Sequence, residues 1–263
     1  MTETAGREFG AHLRAWRVRR RTSQLDLALA ADVSARHVSF LKTGRACPSR
    51  AMVLRLAAEL DVPREARNQW LDAAGLAPAY RRRAADEGEM RAAFEAVGWM
   101  VDRHDPYPGF ALDRHWRIAR ANRAAGRLLG GFGIGEGDSL LDALLTSGAL
   151  QAAIANLDEV AAHTRARLAA QVRHYGDDPV LRAALKALDA FAWASGADLH
   201  AQPEPTDAFV PVRYRAGATK LSFFSALAQF HTAQDVGLAE LAVELMFPAD
   251  ETTRAALVGV EEG

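Results

Sequence analysis

The segment Ser23 to Arg45, SQLDLALAADVSARHVSFLKTGR, constrains this chain more than any other. It reads as two short helices with a sharp turn between them. Ser23 caps the first: its hydroxyl can reach the amide of Asp26, and the Asp26 carboxylate can reach back, a capping-box arrangement. That helix runs to about Ala31. Ser34 caps the second, which ends near Thr43 with Gly44 as its stop. A small residue is needed where the helices cross, and Ala28 supplies it. Val33, Val38 and Leu41 face inward. The turn demands a left-handed backbone, which Gly adopts freely, yet Asp32 stands there. Its short side chain makes it a tolerable substitute, at a fraction of the ~1–2 kcal/mol left-handed penalty.

The flanks supply the rest of a compact five-helix bundle. Residues 7–21 are amphipathic, with Phe9, Leu13, Trp16 and Val18 near one face. Pro48-Ser49 starts a fourth helix, with Met52, Val53, Leu56, Ala57 and Leu60 inward, stopped at Asp61-Val62-Pro63. A fifth covers about Glu65 to Ala74 and ends at Gly75. Charge sets this part apart. Residues 1–83 carry 16 Lys and Arg against 8 Asp and Glu, residues 84–263 carry 16 against 25, and the net charge of −1 hides the asymmetry. A basic first third on an acidic remainder suits a nucleic-acid-binding module joined to a different one, although arginine-rich helices can also be merely solvated.

The spacing Gln24–Ala28–Asp32–Val38–Leu41 resembles the helix-turn-helix of the XRE/lambdoid phage repressor family, and the resemblance covers about residues 7–62. In that family the second helix of the motif lies in the major groove with its N-terminal residues at base edges. Carried over, this makes Ala35, Arg36, Ser39 and Phe40 base readers, with Ser34 at the start of the same helix. Arg36 can grip guanine with two hydrogen bonds, and Ala35 or Phe40 can touch a thymine methyl. Gln24 would hold a phosphate, and His37, Lys42 and Arg45 would contact phosphates or flank the base readers. Two readings of Phe40 stand, base contact or packing against Trp16. Arg19-Arg20-Arg21 reads as a clamp on the DNA backbone or as a solvated run.

Beyond the polar stretch Ala79–Glu89, AYRRRAADEGE, the pattern changes. Met90 to His104 is an amphipathic helix. Short strands are expected at Phe110–Leu112 and Trp116–Ala119, and a helix at Asn122–Leu129, with Asn122 as its N-cap, ended by the flexible turn GGFGIGEGD. Residues 138–196 are mostly helical. Three longer strands are expected at Phe209–Arg215, Lys220–Phe230 and Leu238–Phe247, the last two apolar enough to be covered on both faces, before a final helix opening at Pro248. Strands flanking a helical insert suggest an α+β domain with one curved antiparallel sheet.

Three blocks, HWRIARANRAAGRLLGGF, AIANLDEVAAHTRARL and KLSFFSALAQFHTAQDVGLAELAVELMFPADETTRAAL, resemble the MmyB-like regulator family. Family members often carry Gly-Thr-Pro where this chain has His231-Thr232-Ala233. The resemblance implies a multi-domain chain: an all-α helix-turn-helix bundle over 1–78, a linker over 79–89, and an α+β PAS-like ligand-binding and dimerisation domain with an antiparallel sheet over 90–263. It implies a transcription regulator with a small, apolar, fatty-acid-like ligand and no cofactor. Aromatic residues such as Tyr107, Trp116, Phe223 and Phe230 can line an apolar pocket or simply fill a core. His163 and Arg167, four apart on a helix, can anchor a carboxylate or form a solvated face. Arg213 and Arg215 point the same way along one strand.

Enzymatic readings find little footing. The glycines do not match Gly-x-Gly-x-x-Gly, and no nucleophile elbow occurs. Scattered histidines and the single cysteine, Cys47, lack metal-ligand spacing and fit a reducing cytoplasm. No run of 18 apolar residues occurs, and the first residues lack the apolar core of a secretory signal, so no membrane partner is expected. The expected partners are double-stranded DNA with an inverted-repeat operator, a second copy of the chain in a homodimer, and an apolar small molecule.

Overall fold

The computed structural model describes residues 2–83, 87–176, 178–195, 198, 209–217, 219–230 and 233–258. The chain forms two units: Met1–Arg82 with Ala170–Asp178 and Gln234–Val236, and Arg83–Ala169 with Pro179–Ala233 and Gly237–Gly263. His231 and Thr232, of the triplet His231-Thr232-Ala233, lie outside the described residues.

The first unit holds α1 (Thr2–Arg19), α2 (Gln24–Ala30), α3 (Ala35–Thr43), α4 (Arg50–Glu59) and α5 (Arg64–Ala73). Local chemistry sets their ends. Ser23 and Asp26 form the reciprocal capping box, Ser34 accepts from the His37 amide, and Ser49 accepts from the Met52 amide. Asp32 takes the left-handed conformation at φ +49, and Gly44 ends α3 at φ +73. Phe9, Leu13 and Trp16 of α1 bury against Leu27, Val38, Leu41, Leu56 and Trp70. Each such side chain stabilises by ~1.5–3 kcal/mol. Val18 is not among them; it is 63% exposed. At about 100° per residue it lies about 200° around the helix from Trp16, on the far side.

From residue 88 onward the elements are α6 (Gly88–Asp102), β1 (Gly109–Leu112), β2 (Ile118–Ala121), α7 (Arg123–Gly130), α8 (Leu140–Thr146), α9 (Gly148–Ala153), α10 (Leu157–Tyr175), α11 (Pro179–Ser195), β3 (Val212–Ala216), β4 (Thr219–Gln229), α12 (Val236–Ala239), β5 (Ala242–Pro248) and α13 (Glu251–Val258). The strands form one antiparallel sheet in the order β2-β1-β5-β4-β3. One face carries Phe110, Leu112, Phe223 and Met246 beneath Ala125, Leu129, Leu144 and Leu150 of α7 to α9. The other carries Ala111 and Val243 against Val97 and Val101 of α6. The expected architecture, a helical bundle followed by an α+β domain with an antiparallel sheet, is the one observed.

Several boundaries differ from expectation, each for a local reason. Leu238–Phe247 is not one strand: α12 occupies its start and β5 begins at Ala242. Leu238 of α12 and Leu241 just beyond it, whose amide donates to Leu238 O, both meet the α6-side core. The strand expected from Phe209 starts at Val212, after Pro211, whose ring leaves no N–H for a ladder. Phe209 instead stacks on Phe224 with ring centroids 4.5 Å apart. The strand expected from Trp116 starts at Ile118, because Asp113 Oδ1 accepts from the amides of His115 and Arg117 and closes a turn. Trp116 sits in that turn at φ +63. The final helix opens at Glu251 rather than Pro248, where the Asp250 carboxylate takes the Thr253 amide.

Burial also corrects two expectations. β4 is not covered on both faces, since Ser225, Ala226 and Leu227 are all exposed. The glycine-rich turn is pinned rather than loose. Gly137 donates to Ile118 O, Ile118 donates to Asp138 O, and Ile134 is buried. Gly126 is exposed within α7, and an alanine Cβ there would meet no atom within 4 Å beyond its own helical turn. Gly126→Ala is therefore expected to raise stability by ~0.5–1 kcal/mol in urea unfolding.

Candidate DNA interface and ligand site

The candidate recognition face is built by the contact of α2 with α3. Leu27 and Ala28 pack on Val38 and Leu41, all at most 2% exposed. Gln24 Nε2 donates to Ala35 O at 3.0 Å and ties the starts of the two helices together. Ser34 is used as the N-cap of α3. Ala35 is half-buried against the bundle core, which leaves Arg36 as the exposed residue of the first turn. Its guanidinium lies 5.3 Å over the Phe40 ring. Phe40 is therefore partnered by Arg36 and does not belong to the cluster that holds Trp16. Ser39, His37 and Lys42 are half-buried, and Arg45 is exposed just past the helix. α3 carries no acidic residue.

The arginine run before the motif divides its tasks. Arg20 donates to Leu60 O at 2.9 Å and Asp61 O at 2.7 Å. It caps the C-terminal carbonyls of α4, as a cation there should, and is not a backbone clamp. Arg19 and Arg20 both lie over the Trp16 ring, at 4.7 and 5.3 Å. Arg21 is exposed.

In the sheet-containing unit, the six ligand candidates separate by face. Trp116, His163 and Arg167 come together. The Arg167 guanidinium lies 4.3 Å over Trp116, and Arg167 Nη1 meets Glu244 Oε2 at 2.9 Å. Phe223, fully buried on the same sheet face, has its ring 6.2 Å from Tyr214. Tyr107 and Phe230 go elsewhere. Tyr107 packs on His104, which packs on Phe247, and Phe230 joins the α6-side core. Alternation along β5 puts Phe247 opposite Glu244 and Met246.

Titration reflects this crowding. His163 titrates below its ordinary value, first because packing desolvates it and then because Arg167 lies close, though Glu244 pulls the other way. Burial holds the Tyr214 hydroxyl protonated far above the ordinary range, and the Glu244 charge adds to this. Glu244 is not among the residues that sequence reasoning singles out. Its one signal there is that of a lone acid in the apolar run AVELMF.

Arg213 and Arg215 both turn to protein partners. Arg213 pairs with Glu159 at 3.3 Å, and Arg215 donates to Ala152 O and Ile154 O at 2.8 and 3.0 Å. They rim a polar cleft of about 660 Å³ that also includes Lys220. A more apolar groove of about 450 Å³ lies between α8 and α11, lined by Leu141, Leu145 and Leu181. Another of about 420 Å³ lies beside α6, lined by Phe94, Trp99 and Leu241. No described helix is long and apolar enough to cross a membrane.

A helix-turn-helix with a basic reading helix, and a separate unit with a sheet half-covered by helices, define a DNA-binding transcription regulator with a ligand-binding domain. Residues 13–66 match the helix-turn-helix family. Residues 93–258, more than half of the chain, match the MmyB-like transcription regulator ligand binding domain, and the chain belongs to that family. No curated protein matches it. Among solved structures, the PAS domain of Bordetella pertussis BvgS aligns with 65% of this chain and 95% of its own length, at 14% identity and a TM-score of 0.29. That likeness is too slight to carry an argument.

Proposed function

We propose that the protein is a cytoplasmic, sequence-specific regulator that binds an inverted-repeat operator as a homodimer and senses an apolar small molecule such as a fatty acid. Two-fold symmetry would set its half-sites one helical turn, ~34 Å, or a multiple apart. Residues 1–78 form the DNA-binding domain, 79–89 the linker and 90–263 the sensing and dimerisation domain. The observation that carries the DNA reading is the first turn of α3, where Arg36 is exposed with its guanidinium 5.3 Å over the Phe40 ring, in a helix without a carboxylate. A pre-ordered guanidinium loses less freedom on gripping guanine. Ser39, Phe40, Lys42 and Arg45 continue the surface, while Ser34, Gln24 and Ala35 position it and His37 lies beside it.

Arg36→Ala is expected to weaken operator binding by ~1–3 kcal/mol and to relax one base position. Titration against an operator and its single-base variants measures both. Unchanged affinity removes Arg36 from the readers.

The ligand reading rests on family membership together with the Trp116–Arg167 cluster beside Glu244 of β5. Binding can shift DNA affinity only by its difference between two states of the dimer, ~1–3 kcal/mol. Mass spectrometry of organic extracts from the purified full-length protein tests this. A stoichiometric acyl species supports a sensor, and an empty extract with no thermal shift on adding fatty acids counts against it. One observation favours a second reading, in which this domain only dimerises or recruits a protein: the exposed Trp99 shares an open groove beside α6 with Phe94, Val97 and Leu241.

A further inference from the structure

Glu244 occupies a place that an apolar residue would fill more cheaply. It lies in β5 between Val243 and Leu245, with Phe110 of β1 and Leu227 of β4 directly beside it. These three side chains form one row on the face that carries Phe223 and Met246. The row runs from the core to solvent, since Phe110 is 4% exposed and Leu227 is 46% exposed. Glu244 and Arg167 keep only 15% and 20% of their side chains exposed. Desolvating two charges costs more than a pair of this kind usually returns, and apolar replacements are often as stable or more so. Stability therefore gives no reason for this pair.

The pair is also sparsely bonded. The contact from Arg167 Nη1 to Glu244 Oε2 is the one hydrogen bond either side chain makes among the described residues. Four N–H groups of a guanidinium centred 4.3 Å over Trp116 are left available, in the fork geometry that suits a carboxylate. His163 and Tyr214 are the titratable neighbours of Glu244 on α10 and β3. With His163 favouring its neutral form, Arg167 is the cation that Glu244 faces.

We propose that Glu244 is an internal stand-in for the ligand's head group: a carboxylate on an apolar chain takes Arg167 from it, so the site selects fatty acids over uncharged chains. This rests on the reading that the domain binds an apolar small molecule. The exchange conserves charge at Arg167, which trades one carboxylate for another. Released, Glu244 faces the open end of its row at Leu227 and the protonated Tyr214 hydroxyl. The apolar tail runs past the exposed Leu227 at the open end of the row, because Phe110 and Phe223 are packed beneath α7 to α9. Ligand binding thus breaks a contact between α10 and β5, a local change that occupancy transmits to both elements.

The test is calorimetric titration of the full-length protein with decanoate and with 1-decanol. The natural chain is expected to prefer decanoate. Glu244→Gln removes the competitor and leaves Arg167 free, so decanoate is expected to bind about tenfold more tightly, or ~1.4 kcal/mol, with decanol unchanged. Arg167→Gln is expected to bind both chains alike. The double variant Arg167→Gln/Glu244→Gln keeps a neutral hydrogen-bonded pair and should bind decanol as the natural chain does, which separates a lost head-group site from a damaged fold. The proposal is overturned if Glu244→Gln binds decanoate no more tightly, or if Arg167→Gln retains the preference. If both chains bind but no variant changes the discrimination, this inference fails and the sensing function stands. If neither chain binds to any variant, the ligand reading fails and takes this inference with it.

Discussion

Asn122→Ala should cost the sheet-containing unit ~3–5 kcal/mol, a loss in the range reserved for broken buried networks. Asn122 begins as an N-cap for α7 but does more than a cap. Its Oδ1 accepts from the Gly109 amide at 3.0 Å and from the Ala125 amide at 2.9 Å. Its Nδ2 donates to Val101 O at 3.1 Å and to Tyr107 O at 2.8 Å. One side chain, 3% exposed, therefore joins the end of α6, the loop after it, the start of β1 and the start of α7. Alanine leaves the Gly109 and Ala125 amides and Tyr107 O without this partner, at ~1–3 kcal/mol for each group that water cannot reach, while Val101 O keeps its bond from the His104 amide. Urea unfolding measures the total, and hydrogen exchange at Gly109 and Ala125 locates it. A loss under ~1 kcal/mol would mean that water replaces the amide and that Asn122 is only a cap.

Asn122→Asp sharpens the test. It preserves both accepted bonds but points carboxylate oxygen at two carbonyls. Burial and those oxygens raise its pKa in the folded state above the unfolded value. The folded state then binds more protons, so the variant must lose stability as pH rises. A pH-independent deficit would contradict the geometry.

Gly10→Ala should destabilise the helical unit by ~2–3 kcal/mol and weaken DNA binding with it. A Cβ at Gly10 would lie 2.4 Å from Lys42 O and 2.9 Å from Leu41 O. Both are backbone atoms at the end of α3, so no side chain can swing away. α1 must move off the reading helix, which disturbs Phe9, Leu13 and the placement of Arg36 together. Gly6→Ala serves as the graded control, because its nearest atom, Gly44 O, is 3.1 Å away. Thermal unfolding and operator titration of both variants should rank Gly10 well above Gly6. A gain in stability at both positions would show that helix propensity outweighs the close approach.

Gly10 shows how the two kinds of information divide. Its sequence neighbours, EFGAHL, mark only a glycine within a helix, which looks like a weakness. The need for it lies in the C-terminal end of α3, in a different helix. Arg20 is similar: within RVRRR it is one cation among several, and its partners at Leu60 and Asp61 follow from how α4 stops. The six ligand candidates share only their chemistry in the sequence. The fold puts Tyr107 and Phe230 on one side of the sheet and Trp116, Arg167 and Phe223 on the other.

What the sequence determined by itself is the set of features that act over a few residues. Ser23 with Asp26, Ser34, Ser49 and Gly44 set helix ends through bonds to the nearest amides and carbonyls. The interval from Gln24 to Leu41 defines the helix-turn-helix, and Asp32 supplies its left-handed turn. Such signals are legible because both partners lie within one turn of chain. The tertiary structure alone decided that Arg167 meets Glu244, 77 positions away, and that Asn122 serves four elements at once. Those contacts depend on sheet register and on which helix covers which face. Both are settled by burying many apolar side chains together, a cooperative choice that no short stretch of sequence encodes.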